Sequence, residues 1–364
     1  MVSVVLAGGG TAGHTSPLIA TAERLRELAP DVRLVCIGTP KGLESRVIPA
    51  AGLELKMVPP VPLPRRLSAD LLRVPGRLVR AVREARAIIT HADADVVVGF
   101  GGYVSMPAYL AARRLKVPVV LHEQNAVPGL ANKVAARFAK VVAVTFPSTP
   151  LRHARFLGMP LRKAIAELDR GALRAEARAE LGLDATRPVL LVSGGSQGAR
   201  SINTATLEAR EGLLALGVDI LHVLGPKNFA GAEGLTDERT GARYVPVAYV
   251  ERMERAYAAA DLMVARSGAG TVMETAVAGL PCVFVPFPHG NGEQAKNASF
   301  IIEAGAGVLV PDGELSASRL LAEVVPLLTN ADKLEAMASK LAGLVPADAA
   351  GELARAVLAC AGRP

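Results

Sequence analysis

Twice along the chain an apolar, β-branched run ends in a glycine-rich loop and leads into a helical stretch. "VSVVLAGGGTAGHTSP" (residues 2–17) opens the first half and "RPVLLVSGGSQGARSIN" (187–203) the second. A strand that stops at glycines and turns into a helix is the entry to a βαβ unit, because parallel strands need helical crossovers. The first copy is followed by "VRLVCIG", "ADVVVGFGG", "VPVVLHEQ" and "KVVAVTF"; the second by "VDILHVLG", "ARYVPVAYV", "ADLMVARSGAGTVMETA" and "LPCVFVPFP". At 364 residues the chain exceeds the size at which one core keeps growing. The pattern predicts an α/β chain of two Rossmann-like, doubly wound parallel-sheet domains facing a cleft, residues 1–158 and 159–341, joined near "FLGMPLRKAIAEL". The end, about 342–364, reads as short helices broken by Pro346, able to pack back on the first domain.

A formal charge of +7 and a pI near 9.5 point to anionic partners such as phosphates, acidic lipid or nucleic acid. Cys36, Cys282 and Cys360 are too far apart for metal-type spacing and too few for a disulfide framework, which suits a reducing cytosol. The apolar stretch Val2 to Ala7 has no basic segment before it, so it does not read as a secretory signal, and no run approaches the roughly 18 apolar residues of a spanning helix.

Three motif matches compete for the chemistry. Gly8, Gly10 and Gly13 satisfy G-x-G-x-x-G, the dinucleotide fingerprint of an NAD-dependent dehydrogenase. That reading needs an acidic residue after the second strand to hold a ribose, whereas "VRLVCIGTPKG" ends in Gly38, Thr39, Pro40 and Lys41. Ser196 between Gly194 and Gly198 satisfies the G-x-S-x-G of a hydrolase nucleophile elbow, and Asp261 and His289 follow in triad order. The competing account is that the amides of Gly195, Ser196 and Gln197 cap a helix start and hold a diphosphate, helped by the Ser196 hydroxyl. Finally, "DAD" at Asp93 to Asp95 mimics a metal-nucleotide ligand pair but precedes its strand, which suits a solvated turn; no cluster has convincing metal spacing.

Read in order, "GGGTAGH", "FGGYVSMP", "LHEQNAVPG", "GGSQGARSIN" and "ARSGAGTVMETAVAGLPCVFVPFP" with "GEQAKNA" closely resemble the MurG-type N-acetylglucosaminyltransferases, which convert lipid I to lipid II in bacterial peptidoglycan synthesis. The resemblance covers nearly the whole chain. It implies the GT-B fold and an inverting, metal-independent transfer of GlcNAc from UDP-GlcNAc, a substrate rather than a cofactor. The implied acceptor is the C4 hydroxyl of muramic acid in an undecaprenyl-diphosphate-linked sugar pentapeptide. It further implies a role in cell-wall biogenesis, cell shape and division, no nucleic-acid partner, and other cell-wall synthesis proteins as candidate partners.

Carried over residue by residue, the resemblance sets Gly9 and Gly10, with Gly101, Gly102 and Tyr103, against the acceptor diphosphate, while Thr11, Ala12 and Gly13 border the donor sugar. His14 is the candidate base; it lies at a helix start, whose positive dipole end favours a neutral imidazole. Glu123 is a second candidate base or an orienting group for the acceptor, with a buried structural carboxylate as the alternative, and His122 reads as structural. Asn125 is carried over as a contact to the GlcNAc hydroxyls. For the donor, Ser196, Gly195 and Gln197 receive the diphosphate, and Arg162 adds charge at the start of the second domain. Gly270 and Thr271 line the nucleotide, with glycine standing where some relatives carry leucine, and Glu274 takes both ribose hydroxyls. Val250 matches the position near the uracil edge, and Gln294 with Glu293 reads the donor sugar, beside His289.

The strongest charge bias lies between Lys56 and Arg86, where Lys56, Arg65, Arg66, Arg73, Arg77, Arg80, Arg83 and Arg86 face only Asp70 and Glu84. At about 100° per residue, Arg73, Arg77 and Arg80 share one helical face and Leu78, Val82, Ala85 and Ile89 the opposite one. With a membrane-anchored acceptor, this face and Leu63, Leu67, Leu71 and Leu72 predict peripheral association with an anionic membrane surface at its cytoplasmic face. Two further readings share the scaffold. A UDP-GlcNAc 2-epimerase would need carboxylates around the sugar and no membrane patch; a non-catalytic UDP-sugar-binding module would bind donor without turnover.

Overall fold

A computed structural model describes residues 1–61, 73–289 and 291–362, so Leu63, Arg65, Arg66, Leu67, Asp70, Leu71 and Leu72 lie outside the described residues. The chain divides into two compact units, Met1–Arg162 with Asp348–Pro364, and Lys163–Ala347. Arg162, placed by sequence at the start of the second domain, is thus the last residue of the first unit's main segment.

In the first unit the strands are β1 (Ser3–Ala7), β2 (Arg33–Gly38), β3 (Glu54–Met57), β4 (Val96–Gly99), β5 (Val119–Glu123), β6 (Val141–Val144) and β7 (Ala154–Phe156). They form one parallel sheet in the order β3-β2-β1-β4-β5-β6-β7. β1, β4 and β5 are buried along their whole length, as expected of valine-rich strands covered on both faces. Apolar runs point to β1, β2, β4, β5 and β6; the edge strands β3 and β7 escape because "ELKM" and "ARF" are largely exposed. The crossovers are α1 (Ala12–Leu28), α2 (Glu44–Ala50), α3 (Val74–His91), α4 (Gly102–Leu115) and α5 (Leu130–Ala135). Chain order reverses between β1 and β4, which opens a crevice at their carboxyl ends where the β1–α1 and β4–α4 loops emerge.

α3 begins at Val74 with Pro75 in its first turn, where a missing N–H does no harm. On its inward face Val82, Ala85 and Ile89 pack with α4 into one core, with Ala81 also buried; Arg73, Arg80, Arg83 and Arg86 are exposed and Arg77 half-buried. The "DAD" segment is structural: Asp95 Oδ2 accepts from the Ser3 N–H (2.8 Å), and the Ser3 hydroxyl donates to Ala92 O (2.6 Å). These bonds fasten the amino ends of β4 and β1.

The second unit repeats the design with β8 (Val189–Ser193), β9 (Asp219–Val223), β10 (Leu235–Thr236), β11 (Arg243–Val247), β12 (Leu262–Ala265), β13 (Cys282–Phe284) and β14 (Gly307–Leu309). The order is β10-β11-β9-β8-β12-β13-β14, with only β10 antiparallel, and the reversal now falls between β8 and β12. Its helices are α6 (Lys163–Ala166), α7 (Arg170–Glu180), α8 (Arg200–Ala215), α9 (Met253–Ala259), α10 (Ala269–Val277), α11 (Glu293–Glu303), α12 (Ala317–Leu328) and α13 (Ala331–Leu341). The chain then returns to the first unit as a single helix, α14 (Ala349–Cys360), rather than several short ones. Leu353, Ala354 and Val357 of α14 join Leu18, Ala22 and Leu25 of α1 in one core cluster. Among the described residues no helix is long and apolar enough to cross a membrane.

Candidate active site

In the first unit three loops meet at the carboxyl ends of β1, β4 and β5. Thr11, in extended conformation, caps α1, and its carbonyl accepts from the His14 N–H (3.1 Å). Thr11, Ala12 and Gly13 are exposed and His14, the third residue of the helix, is half-buried. Gly101 and Gly102 take left-handed conformations (φ 80° and 74°) to turn into α4, and no side chain fits there: a Cβ on Gly102 would lie 2.9 Å from Gly9 O. The His14 ring rests on this turn, with Cε1 3.5 Å from a Cβ built on Gly101. Tyr103 flanks Gly10, its Cε1 3.7 Å from where a Cβ would sit.

His14 Nδ1 stands 2.9 Å from Gln124 Oε1, just past the end of β5. Gln124 Nε2 lies 3.0 Å from both His122 Nδ1 and His122 O, and His122 Nε2 lies 2.8 Å from Gly158 O. His122 is wholly buried, and burial pushes its imidazole down to about 4 despite the bond to Gly158, so it stays neutral.

Two expectations for this unit change. The Gly10 N–H, expected on the acceptor diphosphate, instead donates to Glu44 Oε2 (2.8 Å). Glu44 Oε1 accepts from the Thr39 N–H (3.0 Å) and hydroxyl (2.8 Å), and a Cβ on Gly9 would run into the carboxylate. Burial alone would raise the Glu44 carboxyl, but the bonds from Gly10 and Thr39 outweigh it and hold it below the usual range. A buried negative charge therefore lies beneath Gly9 and Gly10, which disfavours a second anion on that loop.

Glu123, the second candidate base, is 2% exposed. Oε1 accepts from the Asn125 N–H (3.0 Å), and Oε2 from the Gly129 N–H (2.9 Å) and Asn132 Nδ2 (2.9 Å). It braces the loop that carries Asn125, whose carbonyl also accepts from Thr149 Oγ1 (3.2 Å). Three of its acceptor positions are thus taken up by this loop.

In the second unit, Gly195, Ser196 and Gln197 are exposed after β8. α8 begins only at Arg200, so these residues form a loop ahead of the helix instead of its first turn. The Gly195 N–H donates to Ser193 Oγ (3.3 Å), whereas among the described residues the Ser196 and Gln197 amides have no acceptor. Gly198 (φ 75°) lets the loop lie on the β9–β11 side, since a Cβ there would collide with Leu224 O. Arg266, after β12, donates to Ser201 Oγ (3.0 Å), to Asp312 and to the carbonyls of Val285 and Pro286, tying the start of α8 to the ends of β12 and β13. Gln294, in the first turn of α11, accepts from the Phe287 N–H (2.9 Å), and Phe287 lies under the Arg266 guanidinium, 5.6 Å from carbon to ring centre.

The remaining predicted residues are held by other elements. Glu274 is the sixth residue of α10 and accepts from the Tyr257 hydroxyl (2.7 Å), so one carboxylate oxygen already has a partner. Gly270 and Thr271 are half-buried in the first turn of α10, Val250 is buried after β11, and Arg162 is exposed. Sequence reasoning missed Glu44, Gln124 and Arg266. Gln124 and Arg266 sit inside quoted motifs; Glu44 carries no local signal.

The hydrolase triad does not assemble. Asp261 precedes β12, pairs with Arg178 (2.9 Å) and Arg174, and accepts from the Val189 N–H (2.8 Å). In the parallel register Val189 opens β8, while Ser196 lies beyond the far end at Ser193. The strand between them spans about 13 Å.

The two doubly wound sheets, each with a glycine-rich loop at its switch point, are those of a two-domain glycosyltransferase, and the chain belongs to glycosyltransferase family 28. The family's N-terminal domain matches residues 4–144 and its C-terminal domain residues 189–353. The relatives narrow this further. The chain is 63% identical to a UDP-N-acetylglucosamine–N-acetylmuramyl-(pentapeptide) pyrophosphoryl-undecaprenol N-acetylglucosamine transferase of Cutibacterium acnes, over 99% of this chain and 98% of the relative. It is 56% identical to a Nocardioides protein of the same name, over 98% and 97%. Crystalline MurG of Acinetobacter baumannii superposes with a TM-score of 0.76 at 28% identity, covering 99% of this chain and 100% of that one. The fold is GT-B and the protein is a UDP-sugar glycosyltransferase, which sets aside the dehydrogenase and the non-catalytic binding module.

Proposed function

We propose that the chain transfers N-acetylglucosamine from UDP-N-acetylglucosamine to the C4 hydroxyl of the muramyl sugar in an undecaprenyl-diphosphate-linked pentapeptide acceptor, with inversion. The end-to-end identity with transferases of that name carries the reading. His14 is the base. The acceptor oxygen attacks the anomeric carbon while His14 takes its proton and the new C–O bond forms. The bond from that carbon to the diphosphate breaks on the opposite face, and its electron pair leaves with UDP.

The departing diphosphate gathers charge, so donors aimed at it stabilise the transition state more than the ground state. Ser196 and the free amides of Ser196 and Gln197 fill that role, with Gln294 and Asn125 for the sugar hydroxyls and Glu274 for the ribose. The first turn of α4, at Gly102 and Tyr103, is a better acceptor-phosphate donor than Gly9 and Gly10, because its amides lack intrahelical partners and the Gly10 amide is bound to Glu44. With these donors in place, transfer should persist in EDTA. Label from UDP-GlcNAc is expected in a β-linked disaccharide on a lipid I analogue; release to water alone, or an α linkage, would overturn the reading.

The same proposal places the protein at the cytoplasmic face of the membrane. Arg73, just ahead of α3, and Arg80 within it are exposed, with half-buried Arg77 between them and Val79 60% exposed beside them. At roughly 1 kcal/mol per basic residue, replacing all three by Glu should weaken binding to anionic vesicles by about 100-fold or more. Unchanged sedimentation with such vesicles would remove this face from the account.

A further inference from the structure

The contacts that lead inward from His14 fix which of its two nitrogens carries the proton. Carbonyl oxygens only accept, so the Gln124 group 3.0 Å from His122 O is its NH2, and the amide has one orientation. The same NH2 faces His122 Nδ1 at 3.0 Å, which must then accept and carry no proton. The His122 proton is therefore on Nε2, where it donates to Gly158 O at 2.8 Å. The oriented amide leaves Oε1 toward His14 Nδ1 at 2.9 Å, and an amide oxygen can only accept there. Each assignment forces the next, starting from two backbone carbonyls that cannot change role.

We propose that Gln124, locked by His122 and Gly158, is a positioning residue that holds His14 in the Nδ1–H tautomer, so that the lone pair lies on Nε2. The catalytic consequence rests on the reading of His14 as base; the tautomer does not. Three features suit the task. Gln124 is 1% exposed and His122 wholly buried, so water does not compete for the bonds. His14 Nε2 has no hydrogen-bond partner among the described residues, so its lone pair remains for a substrate proton. When His14 becomes imidazolium, Nδ1–H is already bonded, and the neutral amide accepts from it without moving. A carboxylate in that position would bind the imidazolium more tightly but would put an additional buried charge beside Glu123. The neutral relay orients the base and leaves the local charge unchanged.

The experiment uses the full chain labelled with 15N-histidine, with the His14 resonances identified by their loss in His14→Ala. Wild type is expected to show a pyrrole-type nitrogen at Nδ1 and a pyridine-type nitrogen at Nε2. Gln124→Met, which keeps the volume and removes both polar groups, should mix the tautomers and lower kcat by at least about tenfold, toward the roughly 10⁴-fold loss known when a catalytic histidine is held in the wrong tautomer. The KM for UDP-GlcNAc should stay within twofold. Gln124→Glu keeps an acceptor on Nδ1 and should retain the wild-type tautomer. A wild-type His14 protonated at Nε2 would overturn the proposal even if Gln124→Met failed to fold, and so would a folded Gln124→Met with an unmixed Nδ1–H signal. An inactive His14→Ala tests the base reading separately; if it were active while the tautomer held, the base reading alone would fall.

Discussion

The loop after β1 and the loop after β8 share a strand, a run of glycines and a helix, yet their amides meet different partners. Beneath the first lies the buried Glu44 carboxylate, bonded to the Gly10 N–H. In the second no carboxylate accepts from residues 195–198 among the described residues, and the amides of the exposed Ser196 and Gln197 have no acceptor there. A glycine loop at a helix start is an anion site only when its donors are free and no fixed negative charge sits behind them. The first loop fails that condition and instead carries an imidazole; the second meets it. On the proposed reading, the same local sequence design serves proton transfer in one unit and diphosphate binding in the other.

If that division is right, damage to each loop should show in a different constant. The largest effect is expected for His14→Ala, which should lower kcat by about 10²- to 10⁴-fold, the usual worth of a general base, with the Kd for UDP almost unchanged by calorimetry. A comparable loss of UDP affinity in this variant would break the comparison. Next comes Ser196→Ala. Loss of one hydrogen bond to a charged group should raise the Kd for UDP about 10- to 100-fold.

A smaller effect concerns stability. Glu44→Gln leaves the Gly10 or Thr39 donors facing an NH2 group and should cost about 1–3 kcal/mol in urea unfolding, without altering UDP affinity. Because the Glu44 carboxyl is held below its usual range, the stability it adds is present above the unfolded carboxylate pKa and lost as pH falls through the folded value. The variant should flatten that acid limb of the stability curve. The smallest effect is expected at Gly270, where a Cβ meets nothing within 4 Å. Gly270→Leu should change stability by less than about 0.5 kcal/mol, the range of substitutions away from packed features.

Much of this division was legible before folding, but not its cause. The valine runs of β1, β4 and β5 announce strands covered on both faces, and the period of α3 separates Arg80 from Val82 and Ala85. What sequence cannot supply is partnership across the fold. Glu44 lies 34 residues from Gly10, and only the pairing of β1 with β2 brings the start of α2 under the first loop. Gln124 was in view inside "LHEQN", but its bearing on His14 depends on β5 lying one strand beyond β4. Glu123, the more chemical-looking neighbour, turned inward because its loop has two N–H groups and an amide to satisfy. The start of α8 was read too early because glycines at 194, 195 and 198 let the chain run on as a loop before helical bonding begins.

The central claim is that UDP belongs to the loop after β8. A crystal of the full chain soaked with UDP, refined without assuming a position, tests it directly. Density for the diphosphate against Ser196 and Gln197 is the predicted result; density against Gly10, over the Glu44 carboxylate, would contradict it.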